Sequence, residues 1–317
     1  MNFQRRPRMA GPRLRVTVCT AICLLVSISA RAQSSAATAS STKVVLLGSG
    51  NPRPDPERWG PAVAVVVNDT AYLVDCGPGI VRRAAAAEKA GIPALNVKKL
   101  TRVFITHLHS DHTLGYPDLI FSPWVMHREK PLEAYGPRGL KNMTRHIEKA
   151  WEKDIYVRRH GLEQADATGY KVVLREIQPG VVYRDANVTV TAFLVKHGIW
   201  DQAFGYRFDT ADRRVVIAGD TAPSDEVVKA CAGCDVLLHE VYNPRGEKIR
   251  TEAHEREYFR TFHTSPEELG EIARRARPKM LVLYHQVWSE LPEEDLVEQV
   301  HKAYDGKFIS GKDLGVY

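Results

Sequence analysis

Long apolar runs are scarce in this chain. The longest, residues 16–29, covers about 14 residues, short of the roughly 20 that a membrane-crossing helix needs. It follows a head carrying Arg5, Arg6, Arg8, Arg13 and Arg15 and precedes Ala30-Arg31-Ala32. A basic head, a short apolar core and a small-x-small site make a secretory signal peptide over residues 1–32, with Gln33 opening the mature chain. An uncleaved anchor is the alternative reading. Arg5-Arg6 fits a twin-arginine signal poorly, and Cys19 and Cys23 lie inside the apolar core, away from where a lipoprotein signal would need them. Positive charge is also in short supply outside that head. The chain has 44 Lys+Arg against 38 Asp+Glu, but six of the 44, all Arg, fall in residues 1–32, which hold no acid. The remainder is formally neutral and lacks the broad basic footprint of a nucleic-acid binder. Cysteine is sparse too. Of five, only Cys76, Cys231 and Cys234 lie beyond the leader, too few for a disulfide scaffold. Cys231-Ala-Gly-Cys234 has no second pair to complete a zinc site. A short disulfide, expected in an oxidising compartment, or two free thiols remain open, and Cys76 reads as a small buried residue.

What the chain does have is a dense group of metal-binding side chains. His107, His109, Asp111 and His112 fall within six residues, directly after the apolar run Val103-Phe104-Ile105. The run reads as a buried strand, so the ligands sit where a strand ends and a loop begins, a rigid base for a site. Imidazole nitrogen and carboxylate oxygen are the donors that catalytic zinc uses when one position stays open for water. A lone histidine there would be ordinary packing; four potential ligands in this order are not.

The rest of the chain alternates strands with helices. Residues 33–42, rich in Ser, Ala and Thr, read as a flexible lead-in. Residues 43–47 form a strand that runs into a loop dense in Gly and Pro. Strands over 62–67 and 71–75 are joined by Asn68-Asp69-Thr70, a hairpin signal. An Ala-rich helix follows over 80–90, and an amphipathic one over 140–153. Strands are expected over 171–177, 181–183, 188–195, 205–208, 214–218, 235–238 and 279–284, with a short last one at 316–317. Helices are expected over 225–231 and 292–303, and after Ser265, where Pro266 and Glu268 complete a capping box. Residues 243–262 are polar and charged with no clear period, and read as a lid or a homodimer contact. Three further ligand candidates close strands: His197 after 188–195, Asp220 after 214–218 and His285 after 279–284. One layered α/β domain over 43–317 is the expected architecture.

His-x-His-x-Asp-His after an apolar strand resembles the signature of the metallo-β-lactamase superfamily, and the resemblance extends from about residue 43 to 317. It implies a single α/β domain with a four-layered αβ/βα sandwich and a metal site at the sheet edges. It also implies that His107, His109 and His197 bind one metal, that Asp111, His112 and His285 bind another, and that Asp220 bridges the two. Two Zn2+ are the expected cofactors, with Mn2+ or Fe compatible with the same O/N donors. By the same resemblance Asp75 holds a ligand histidine in place by a hydrogen bond.

Finer marks resemble the branch holding ribonuclease Z, the zinc phosphodiesterases and the arylsulfatases. They are Leu47-Gly48-Ser49-Gly50, Gly205-Tyr206-Arg207, Ala218-Gly219-Asp220-Thr221, Leu238-His239-Glu240 and His263-Thr264-Ser265. In that branch a Glu at a strand end orients a further His that donates a proton, which here implies Glu240 and His263 beside Asp111 as catalytic residues. The bland reading of His263 is a loop residue before a helix cap. The best-known zinc β-lactamases place Cys where Asp220 stands, which speaks against β-lactam hydrolysis. Ribonuclease Z enzymes also carry a long Gly/Pro-rich arm that grips tRNA, and no counterpart is legible here.

The expected function is therefore an exported, periplasmic or secreted hydrolase of a small anionic ester, phosphodiester or sulfate, that uses a hydroxide held between two metals. The alternatives are an arylsulfatase proper, a tRNA 3′-processing endonuclease, a lactonase and a non-enzymatic metal-binding protein. Nucleic acid is a disfavoured partner, no stable membrane span is expected, and a homodimer is compatible with the sequence. Trp59, Trp124, Trp200 and Tyr242 flank ligand-bearing segments, where they would line an apolar leaving-group pocket or simply pack.

Overall fold

The segment Ala62–Val67 reads Ala-Val-Ala-Val-Val-Val and is buried along its whole length. Successive side chains of a strand point to opposite faces, so such a strand needs cover on both. Ala62, Ala64 and Val66 enter one apolar cluster, and Val63, Val65 and Val67 enter another. This double burial recurs through the computed structural model, which describes Gly11, residues 41–287 and residues 291–317. Residues 1–10 and 12–40 lie outside the described residues, and with them almost all of the expected signal peptide and lead-in. Thr42, assigned to the lead-in from sequence, instead opens the first strand. Its hydroxyl donates to Asp212 Oδ1 at 2.6 Å, which ties it down.

Two sheets carry the fold. The first holds β1 (Thr42–Gly48), β2 (Ala62–Val67), β3 (Thr70–Val74), β4 (Arg102–Phe104), β5 (Leu132–Gly136) and β6 (Val172–Glu176), in that spatial order. The second holds β7 (Gly180–Arg184), β8 (Val188–Val195), β9 (Ala203–Thr210), β10 (Arg214–Ile217), β11 (Val236–Tyr242), β12 (Leu281–Val287) and β13 (Phe308–Ser310), again in chain order. Each sheet starts as an antiparallel meander and ends in parallel pairs. The helices are α1 (Ile80–Lys89), α2 (Ser110–Thr113), α3 (Tyr116–Val125), α4 (Leu140–Ala150), α5 (Glu152–His160), α6 (Asp225–Cys231), α7 (Glu247–Thr251), α8 (Ala253–Phe262), α9 (Pro266–Ala276) and α10 (Glu293–Ala303).

Three apolar clusters define four layers. One packs α1 and α3 on the outer face of the first sheet. The second, with Phe104, Tyr135, Tyr206 and Phe208, lies between the sheets. The third packs α6, α9 and α10 on the outer face of the second sheet. The order is helix, sheet, sheet, helix: the αβ/βα sandwich, formed within one compact unit over Ala39–Tyr317. No helix among the described residues is long and apolar enough to cross a membrane.

Several local expectations change. The helix expected over 140–153 divides at Trp151 (φ −99°, ψ 10°), whose ring stacks on Phe121 at 5.4 Å. The aperiodic stretch 243–262 folds as α7 and α8. At the C-terminus the last strand is β13, and Val316 makes only an isolated bridge to Val45. Cys231 and Cys234 are joined as a disulfide, while Cys76 is buried and free.

Candidate metal centre

The expected ligands lie near the ends of strands or in the segments that follow them, and they converge in overlapping groups. His107 and His109 follow β4, and Asp111 and His112 ride on the single turn of α2. His197 follows β8. Asp220 follows β10 through Gly219, which adopts φ +68° where a Cβ would meet the Phe204 carbonyl at 2.9 Å. His285 lies within β12, where Tyr284 and His285 together oppose the single residue Glu240 of β11. That extra residue is a β-bulge, the usual device for re-aiming a side chain at a site. His285 itself sits at φ +45°, a conformation that non-glycine residues rarely adopt.

The donor atoms fall into two groups. His107 Nε2 and His197 Nε2 stand 2.9 and 3.1 Å from His109 Nδ1. Asp111 Oδ2 stands 3.5 Å from His112 Nε2 and 3.1 Å from His285 Nε2. Asp220 Oδ2 lies 3.4 Å from His112 Nε2 and 3.3 Å from His285 Nε2, and Asp220 also groups with His107 of the first set. All are buried except the half-exposed His109, which marks the side open to solvent. His112 Nε2 and Asp220 Oδ1 are buried with no hydrogen-bond partner. Such orphans are costly, and a cation seated between the two groups would satisfy both, so the residues fit a divalent metal.

The far sides of His107, His112 and His197 are held by hydrogen bonds. His112 Nδ1 donates to Asp75 Oδ2 at 2.8 Å, and Asp75 also accepts from the Thr106 backbone N–H (2.8 Å) and hydroxyl. His197 Nδ1 donates to the Phe262 carbonyl at 2.8 Å, which leaves Nε2 as the lone-pair nitrogen. His107 Nδ1 faces the Thr106 hydroxyl at 3.0 Å. The Trp200 indole N–H points at His109 Nε2 from 2.9 Å. Because an indole only donates, ligation through His109 Nδ1, with the proton on Nε2, requires the indole to turn aside. Burial pushes the imidazoles of His107, His109 and His197 down, His197 to about 4. They are neutral and able to ligate at neutral pH. Burial would raise the Asp220 carboxyl, but His285 and His112 outweigh it and hold it well below the usual range.

Glu240 and His263 meet beside this centre. Glu240 Oε1 accepts from the backbone N–H of Thr264 (3.0 Å) and Thr221 (3.4 Å), and Oε2 faces His263 Nδ1 at 3.5 Å. His263 also groups with His197 and Asp220, so it is within reach of the metal-facing atoms. Sequence reading missed Thr106 and the Phe262 carbonyl. Thr106, next to His107, was open to notice, whereas a carbonyl belongs to every residue and carries no signal. Of the aromatic candidates, Trp200 is at the centre and Trp59 is close to Asp111. Trp124 is buried in the core with its indole donating to the Asp166 carbonyl, and Tyr242 is buried against Phe259. These last two are packing residues.

A family model described as "Beta-lactamase superfamily domain" matches residues 70–286. The chain belongs to the metallo-β-lactamase superfamily. Within it the chain is ribonuclease Z-like. It is 32% identical over 277 residues to a ribonuclease Z of Mycobacterium bovis, covering 85% of this chain and 95% of that protein. A ribonuclease Z of Mycobacterium sp. (strain KMS) is 34% identical over 274 residues, covering 85% and 93%. Among solved structures, human tRNase Z, short form, superposes with a TM-score of 0.64 at 24% identity, covering 87% of this chain and 98% of that one. The metallo-β-lactamase fold protein YhfI of Bacillus subtilis gives 0.66 at 18%, with 87% and 98% covered. These likenesses support the sandwich. Together with the family, the His/Asp groups identify a hydrolase of the superfamily with a divalent-metal site.

Proposed function

We propose that this metallo-β-lactamase-fold hydrolase cleaves a small anionic ester, with a phosphodiester as the first choice, and that it does so with two zinc ions. The observation that carries the reading is the pairing of Glu240 with His263 beside two converging ligand groups. The relatives named ribonuclease Z favour phosphorus over sulfur as the attacked centre. His107, His109 and His197 would hold one ion, Asp111, His112 and His285 the other, and Asp220 both. When bound, the metals supply Lewis acidity and a water ionised near neutral pH; manganese or iron suits the same donors.

The chain's own residues do the rest. Asp75 and the Phe262 carbonyl fix the tautomers of His112 and His197. Glu240, buried and held by two backbone N–H groups, faces His263 Nδ1, which leaves Nε2 to deliver a proton to the departing oxygen. Asp111 acts both as ligand and as part of the catalytic wall. Residues 1–32 are proposed to be an export signal, so the working compartment is the periplasm or the exterior. The neutral charge of the remaining chain favours a small substrate over tRNA.

Zinc-loaded protein assayed on bis-p-nitrophenyl phosphate and p-nitrophenyl sulfate tests this, since the leaving group is constant and the rate ratio reports the attacked centre. Faster turnover of the phosphodiester is expected. His263→Ala should cost roughly 10²–10⁴-fold on esters with poor leaving groups and much less on p-nitrophenyl esters, whose phenolate leaves unaided. Turnover of neither ester at full metal occupancy would sink the reading.

A further inference from the structure

A second feature adjoins the metal centre and is not used by the mechanism above. A cavity of about 500 Å³ opens beside Asp111. Its walls include Pro52, Pro54, Trp59, Pro78 and Leu114, with Asp111 itself forming part of the lining. Leu114 lies two residues after the ligand His112 and is 64% exposed, an uncovered leucine at the mouth of an active site.

The cavity wall is held by hydrogen bonds and by proline. Proline fixes φ, and the loop after β1 is tied to its surroundings. Asn51 Nδ2 donates to the Gln286 carbonyl at 2.6 Å, next to the ligand His285. Gly50 N–H donates to the Trp59 carbonyl at 2.8 Å, and Trp59 N–H donates to Asp313 Oδ2 at 3.1 Å. Arg58, on the same wall, is paired with Glu293 at 2.6 Å and bonded to Gln286 Oε1 at 3.1 Å. The cavity combines these apolar walls with the polar side chains of Asn51, Arg53, Asp55, Arg58 and Ser110, and a mainly apolar space with some polar groups is the usual form of a small-ligand site. Its volume suits one ring-bearing group and not a run of nucleotides.

We propose that this cavity is the subsite for an apolar, ring-sized substituent of the ester, so that the substrate class is an aryl or comparably apolar ester. The inference rests on the anionic-ester reading above. With the anionic centre at the metal ligands, the substituent reaches the Pro52–Leu114 side past Asp111, and the cavity walls replace water around the ring.

Calorimetric titration of zinc-loaded protein with phenylphosphonate and with methylphosphonate separates the two readings. The phenyl compound should bind roughly tenfold or more tightly, the increment expected for burying one ring. Leu114→Ser should lower the phenyl-to-methyl ratio severalfold, and Leu114→Trp, which fills the mouth, should remove the preference. The exposure of Leu114 makes both variants compatible with the fold. Equal binding of the two phosphonates, or a ratio unmoved by both variants, overturns the subsite while leaving the anionic-ester reading in place. Phenylphosphonate binding that falls with Leu114→Ser, with methylphosphonate binding below detection, supports the subsite. Binding of neither overturns both.

Discussion

Asp75 shows how much one side chain can organise. It adopts φ +58°, a position a β-branched residue could not take without strain, and from there its carboxylate accepts from His112 Nδ1 and from the Thr106 backbone and hydroxyl. An amide has a single acceptor oxygen, so Asp75→Asn must leave one of those donors unpaired. The ring of His112 would lose its anchor, and metal affinity should fall about 10–100-fold, the usual cost of losing such a partner. Chelator competition measures it; unchanged affinity would mean that His112 is held by packing alone. Arg128 is a second case. It is buried, with four hydrogen bonds to the carbonyls of Leu100, Leu119, Ile120 and Gly169. Burial pulls its guanidinium down to about 10, still charged at neutral pH. Arg128→Met should destabilise by about 3 kcal/mol, because it strands several buried carbonyls, and a chemical-denaturation midpoint equal to wild type would contradict that.

Among the elements, the two sheets are joined by more than apolar contact. Tyr72 of β3 donates to Asp185 Oδ2 at 2.6 Å and Tyr183 of β7 donates to the same oxygen at 2.9 Å. Burial would raise the Asp185 carboxyl, but these hydroxyls and the N–H groups of Asn187 and Val188 outweigh it and lower it. A depressed carboxylate contributes stability that is present above its unfolded value of about 3.9 and is lost as pH falls through the folded value. Asp185→Ala should therefore destabilise by roughly 1–3 kcal/mol at pH 7, and by progressively less as pH drops below about 4. Urea midpoints for the two proteins at pH 7 and pH 3.5 test it, and a pH-independent difference would refute the carboxylate's role. Some elements were legible in sequence and some were not. The valine-rich strands and the Ser265 capping box carry local signals. α3 escaped notice because it is apolar on several sides and contains Pro123, and α8 because none of its residues is fully buried. Its place depends on Phe262 covering Gly198, where a Cβ would lie 1.9 Å from the ring, a contact 64 residues distant in the chain.

At the scale of the whole molecule, the formal charge of the chain beyond residue 32 is zero, and its basic surplus belongs to the proposed export signal. Intact mass and N-terminal sequencing of protein expressed with its own leader should find Gln33 first. A chain that keeps Met1 at full activity in the cytoplasm would overturn the export proposal. The sequence by itself determined which side chains are candidates to hold a metal, because His-x-His-x-Asp-His has no structural need that simpler residues would not meet. It also determined the layered class, through strands apolar on both faces. Only the tertiary structure decided that residues 174 apart in sequence, Asp111 and His285, converge to 3.1 Å, that a bulge turns His285 inward, and which nitrogen of His112 and of His197 is left to ligate. Those outcomes depend on strand register and on backbone partners contributed by distant segments, and neither is encoded in any local run of residues.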